Sequence, residues 1–186
     1  VKAVKVDGAE ATVDNVKAGA YKLSRPFNIA TKGEPTGLAK DFINFILSKE
    51  GQAVVTDNKY IAVNDAAESF VSDGSSGQIA VGGSSSVSPV MEKLIEAYKS
   101  VNPNASIDLQ TSDSTSGMTG AMDGTFAIGM ASRELKDEEA AQLTGTAIAL
   151  DGIAVIVNPA NTIDELSMDQ IKSIYVGDIT DWGDLA

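Results

Sequence analysis

Residues 79–103 read IAVGGSSSVSPVMEKLIEAYKSVNP, and the order of residue types in this run decides the fold. Ile79, Ala80 and Val81 form a short apolar run that ends on Gly82-Gly83, the pattern of a buried strand. Three serines follow. From Ser88 to Val101 the apolar residues Val90, Met91, Leu94, Ile95 and Tyr98 return at spacings of three and four, which predicts an amphipathic helix. A strand, a glycine- and serine-rich turn and a helix in direct succession are the opening of an α/β pattern.

Downstream the alternation continues. Strands are expected at 107–110 and 126–131, helices at 117–122 and 137–143, the latter with acids at its N-terminal end where the helix dipole favours them. Residues 147–157 are strand-like, interrupted by Asp151-Gly152 and ended by Asn158-Pro159. Ser167 with Gln170 has the spacing of a capping box and opens a helix through Ile174, before Gly177 and the single Trp182. Upstream, residues 64–78 (NDAAESFVSDGSSGQ) lack periodicity and read as a linker. Before them stand a strand at 1–6, a weak helix at 12–17, a break at Ser24-Arg25-Pro26 and a strand at 27–31. Thr36 is placed to cap a helix whose stripe is Leu38, Phe42, Phe45 and Ile46, a core face by its width; a helical piece at 52–56 and a strand at 60–63 complete the block. The pattern implies an α/β fold with a mostly parallel sheet covered on both faces.

With 186 residues, 43% hydrophobic and 22% charged, the chain has room for one buried core, or for one domain with parts of another. No apolar run approaches the ~18 residues of a membrane span. A net charge of −12, with Arg25 and Arg133 the only arginines, argues against nucleic acid as a partner. The sequence holds no Cys and no His, which removes disulfides, thiolate chemistry and the commonest general base and metal ligands. No metal site and no cofactor site is expected. There is no P-loop signature, and no base is spaced to activate a serine nucleophile, so the chain is not read as an enzyme.

What remains is binding. Ligands of open α/β sheets sit beyond the carboxyl ends of the strands, where helix N-termini present amide N–H groups. Three such junctions are rich in hydroxyls: residues 82–86, residues 112–117 and Ala131-Ser132-Arg133. Each alone is satisfied by a capping role. Three in consecutive strand–loop–helix units point to a shared pocket for a small oxyanion, with Arg133 as its cation unless that side chain pairs with Glu134 or Asp137.

On these residues the chain resembles the phosphate-binding proteins of bacterial ABC importers, the PstS-like group of type II periplasmic binding proteins. Residues 79–103 resemble the family's opening strand and helix, TSDSTSGM (111–118) its second anion loop, IGMASREL (128–135) its third, and DGIAVIVNP (151–159) the strand toward the hinge. SMDQIKSIYVGDITDW (167–182) resembles the start of the second lobe, residues 24–55 are similar to the family's closing crossing and helices, and residues 1–23 to the last piece of its second lobe. The order is therefore inverted, as in a circular permutant or at the junction of two tandem repeats; the native-looking linker favours the second.

The resemblance implies a three-layer periplasmic-binding-protein lobe plus remnants of a second lobe: 1–26 and 158–186 from the second lobe, 27–63 and 79–157 closing and opening the first, 64–78 the linker. It implies the solute-binding component of an extracytoplasmic phosphate importer, partnered by a permease, with inorganic phosphate or a similar oxyanion held by Gly83, Ser84, Ser85, Ser86, Thr115, Ser116, Gly117, Ser132 and Arg133. The middle of the second lobe is missing from the match, so part of the site is expected to be absent. A non-transport interaction module derived from the same lobe is the alternative, and a linker of about 15 residues reaches far enough (~50 Å) to leave a domain-swapped homodimer open.

Overall fold

The structure is a computed structural model and describes residues 1–185. In chain order the elements are β1 (Lys2–Ala3), β2 (Lys5–Val6), α1 (Val13–Lys17), β3 (Ser24–Thr31), α2 (Gly37–Leu47), α3 (Lys49–Asp57) and β4 (Ile61–Ala62). After the linker come β5 (Gly77–Ser84), α4 (Ser88–Val101), β6 (Ala105–Ser112), α5 (Ser114–Asp123), β7 (Ile128–Ala131), α6 (Asp137–Ala140) and β8 (Thr144–Gly152). The chain ends with β9 (Ile156–Val157), β10 (Glu165–Leu166), α7 (Met168–Val176) and a 3₁₀ turn (Trp182–Leu185). These elements fall into two compact units: a sheet unit, Arg25–Asp151, and a terminal unit made of Val1–Ser24 with the stretch from Gly152 onward.

The sheet unit is built on six strands in the order β4-β8-β3-β7-β5-β6. Alternation along the strands divides the core between two faces. Ile29 and Met130 join the stripes of α2, α3 and α4, where Phe42, Ile46, Met91 and Leu94 are fully buried. Their neighbours Ala30 and Ala131 turn to the other face and meet Met118 and Ala121 of α5 together with Leu143. Helices thus cover both faces of one sheet, an α/β architecture.

The sheet is mixed, where the sequence pattern suggested mostly parallel strands. β5 runs parallel to β6 and β7, each reached through a helix that carries the chain back, α4 and α5. β3 lies antiparallel to β7 and β4 antiparallel to β8. No crossover helix links either of those pairs as consecutive strands, so nothing obliges them to run parallel.

Residues 68–75 of the linker fasten it to the rest of the sheet unit. The Phe70 ring lies 5.2 Å from Phe45 and 6.0 Å from Tyr98. Asp41, 1% exposed on α2, accepts hydrogen bonds from the Tyr98 hydroxyl (2.6 Å), the Ser72 hydroxyl (2.8 Å) and the Asp73 amide (2.9 Å). Asn102 donates to Ser75 O and to the Tyr98 hydroxyl. Burial beside this carboxylate raises the Tyr98 pKa far above the ordinary phenol value.

Among the described residues the terminal unit has no sheet of a lobe's size: β1 pairs with β9, β2 with β10, and each pair stands as two strands. No second lobe is evident in those residues. Its core is Val4, Val6, Val16, Tyr21, Val157, Leu166 and Ile171. The expected capping box is formed, with Ser167 Oγ accepting from the Gln170 amide and Gln170 Oε1 from the Ser167 amide.

Candidate functional site

The three hydroxyl-rich junctions follow β5, β6 and β7, which are neighbours in the sheet, so their loops emerge at one end. Direct bonds tie each loop to the other two. The Ser85 amide donates to Ser112 O at 2.9 Å, joining the first to the second. Ser84 Oγ donates to Ser132 Oγ at 3.1 Å, joining the first to the third. The Ser132 amide donates to Ser114 Oγ at 3.2 Å, joining the second to the third.

Local sequence explains each loop. Gly83 has φ +137, and a Cβ there would lie 2.9 Å from Gly117 Cα; a Cβ on Gly117 would lie 2.7 Å from Gly83 Cα. The pair of glycines therefore lets α5 lie directly on β5, an approach of protein to protein. Ser84 is 3% exposed, while Ser85 and Ser86 stand at the surface end of the loop. Val87 occupies the N-cap of α4 and supplies no capping side chain, so the positive end of this 14-residue helix lacks a side-chain acceptor there.

α5 is different. Asp113 caps it, accepting from the amides of Thr115 (2.8 Å) and Ser116 (3.0 Å) and from Ser116 Oγ (2.7 Å). These donors, the Ser116 hydroxyl first, hold the Asp113 carboxyl below the usual carboxylate range. The residue types expected to meet a ligand at this loop are present, and their own chain already supplies them with an anion.

Arg133 is half-buried at the edge of the patch. Its Nη1 and Nη2 pair with both oxygens of Glu139 at 2.7 and 2.8 Å, and Nη2 lies 3.4 Å from Thr115 Oγ1. The rivals Glu134 and Asp137 are not its carboxylate partners; only the Glu134 backbone oxygen takes part, at 2.9 Å. Arg133 first, then the Lys136 amide, hold the Glu139 carboxyl below its ordinary range. From the closing segment, buried Asn28 donates to Arg133 O at 2.9 Å and pins the third loop.

Of the nine residues singled out from sequence, the structure gathers Ser84, Ser85, Thr115, Ser132 and Arg133 into this bonded patch, with Ser86 on Ser84 Oγ and Ser116 turned to Asp113. Sequence reasoning missed Asp113, Ser114, Glu139 and Asn28. Asp113 was legible in principle, since an Asp two and three residues before N–H groups at a helix start is a capping pattern. Asn28 acts across the fold and leaves no local signal, whereas Glu139 reaches back only six residues to Arg133 and three to the Lys136 amide.

A family profile described as a PBP superfamily domain matches residues 69–186. A solved structure from Streptococcus pneumoniae, a phosphate-binding protein of a phosphate ABC transporter, superposes over 100% of this chain and 72% of its own with a TM-score of 0.94 and 46% identity. The chain belongs to the PstS-like group of the PBP superfamily. The PstS-like protein PstS 2 of Streptococcus agalactiae is 52% identical over 188 residues, an alignment that takes in the whole of this chain and 64% of the relative, so the chain spans a little under two thirds of that protein. A solved structure from Clostridium perfringens, a phosphate ABC transporter substrate-binding protein with bound phosphate, matches 59% of this chain and 45% of its own at 44% identity, with a TM-score of 0.51.

Proposed function

We propose that the chain is the ligand-holding part of an extracytoplasmic solute-binding protein that delivers inorganic phosphate to a membrane permease of the ABC type, by binding and without catalysis. The observation that carries this reading is the mutual bonding of the three strand-end loops. Ser132 and Ser114 accept from neighbouring loops and each keep a hydroxyl proton to donate; Thr115 accepts from Arg133 and does the same. Such a patch, at the end of a helix without a side-chain cap, suits the oxygens of a tetrahedral oxyanion. An anion reaching the amides of Thr115 and Ser116 takes the place of the Asp113 carboxylate.

In this reading Gly83 and Gly117 shape the wall, Ser84, Ser85, Ser86, Ser114, Thr115, Ser116 and Ser132 supply donors, and Arg133, neutralised by Glu139, contributes orientation more than charge. The terminal unit is the share of a second lobe that this chain holds, and the opposing wall lies in the rest of that lobe. The alignment with the Streptococcus agalactiae relative runs through both blocks and the linker, and leaves only 36% of that protein, too little for a second full repeat. This supports a permuted order native to a subgroup of the family over a tandem junction. Anchoring of the linker by Phe70 and Asp41 supports closure of the lobe on its own chain over a swapped dimer.

The test is calorimetry on a chimera in which this chain replaces its counterpart in the Streptococcus agalactiae relative. Phosphate binds; Ser85→Ala, Thr115→Ala and Ser132→Ala each weaken it by about 10- to 100-fold, the loss of one hydrogen bond to a charged ligand. Unchanged affinity in all three variants contradicts the assignment.

A further inference from the structure

The two outer strands of the six-stranded sheet are unlike. β4, at one edge, is two residues long. β6, at the other, runs for eight residues in unbroken register with β5, from Gly77↔Ala105 to Ser84↔Ser112. Among the described residues no strand lies on its outer side. Exposed edges are ordinarily blunted by shortness, a bulge, proline or lysine. β6 (ASIDLQTS) has none of these, and its one charge is Asp108.

The ladder fixes which groups face outward. The Ser85 amide donates to Ser112 O at 2.9 Å, so Ser112, and with it Gln110, Asp108 and Ser106, turns its backbone groups toward β5. Ile107, Leu109 and Thr111 therefore present their N–H and C=O groups to the open side. Their side chains lie on the α4 face: Ile107 is buried, Leu109 packs against the same core, and Thr111 Oγ1 donates to Ser88 Oγ at 2.8 Å. The other face carries exposed Asp108 and Gln110, joined by a 2.9 Å bond from Gln110 Nε2 to Asp108 Oδ2.

We propose that β6 is the interface of a symmetric dimer, pairing antiparallel with β6 of a second copy about a two-fold axis through Leu109. In that register Leu109 meets the partner's Leu109 and Ile107 meets the partner's Thr111, each pair exchanging its outward N–H and C=O groups. Asp108 stands opposite the partner's Gln110, whose side-chain amide donates to it. The neighbouring registers are worse. An axis through Asp108 sets two carboxylates face to face, and one through Gln110 sets Ile107 against the partner's Asp113, beyond the end of the strand. The strand is complementary to itself in one register, which argues for a second copy over an unrelated chain. With few residues in contact and −12 on each copy, the dimer is transient, with a Kd on the order of 100 µM, and tightens as salt screens the repulsion. A basic partner strand would show the opposite salt dependence.

Sedimentation equilibrium of the chain is the test. The wild type associates to dimers. Gln110→Glu, which sets a second carboxylate against Asp108 at both symmetry-related contacts, weakens association at least about tenfold, and adding Asp108→Lys restores it, since lysine then faces glutamate. Association through the terminal unit would ignore both substitutions. Amide exchange at Ile107, Leu109 and Thr111 slows about threefold or more between dilute solution and about 1 mM, while that at Ser106, Asp108 and Gln110, bonded to β5 in either state, does not change. A chain that stays monomeric at about 1 mM overturns the proposal. So does association that Gln110→Glu leaves unchanged or Asp108→Lys fails to restore, and so do dimers that salt loosens.

Discussion

Glu139→Gln is the substitution whose consequence the site geometry fixes most closely. Glu139 Oε1 and Oε2 accept from the two Arg133 nitrogens at 2.8 and 2.7 Å, and Oε2 accepts from the Lys136 amide at 2.8 Å, with the carboxylate side chain 3% exposed and that of Arg133 30%. Glutamine fills the same volume, keeps one acceptor and turns an NH₂ toward a guanidinium that can only donate. Losing the charge-assisted pairing at so sheltered a place costs about 2–3 kcal/mol. The sign with pH follows from the lowered folded pKa: the contribution is complete above the ordinary value of 4.5 and is lost as pH falls through the lower folded value. Urea unfolding followed by circular dichroism at neutral pH therefore shows the variant less stable by that amount with an unchanged slope, and the gap closes in acid. A loss below about 0.5 kcal/mol at neutral pH, or a gap that persists in acid, refutes the reasoning. In the chimera the same variant leaves Arg133 uncompensated 3.4 Å from Thr115 Oγ1, so phosphate binding tightens.

Other positions test the frame of the site. Tyr98→Phe keeps the ring contacts with Phe42, Phe45 and Phe70 but removes the 2.6 Å bond to buried Asp41, and is expected to cost about 2 kcal/mol in urea unfolding. Gly83→Ala places a methyl group 2.9 Å from Gly117 Cα at φ +137, and is expected to cost about 3 kcal/mol or more, with phosphate binding in the chimera lost alongside as α5 moves off β5.

The core strand β5 and the helices α2 and α4 were legible because each depends on its own periodicity: Leu38, Phe42, Phe45 and Ile46, and Val90 to Tyr98, bury the stripe their spacing describes. α5 was expected to begin at Gly117 and begins at Ser114, because Asp113 caps it and the glycines and hydroxyls hid a helix of weak propensity. Residues 1–6 read as one strand but form two, bonded to different partners, β9 and β10, a distinction no local pattern carries. The antiparallel entry of β3 was likewise invisible, since direction in a sheet depends on connections that lie elsewhere in the chain. At the site, the hydroxyls announced themselves by composition and the Asp113 cap is local, while the bond from Asn28 to Arg133 O and those that tie the three loops together are set by tertiary contact.

The most direct test of the central claim is a titration of the isotopically labelled chain with inorganic phosphate, followed by amide shifts in two-dimensional NMR, which registers binding even where one wall of the site acts alone. The loops being one oxyanion surface, the shifts concentrate on the amides of Ser85, Ser86, Ser114, Thr115, Ser116 and Ser132 and move together along one binding curve. Shifts that scatter over the surface lysines, or that leave these six amides in place while others move, contradict it.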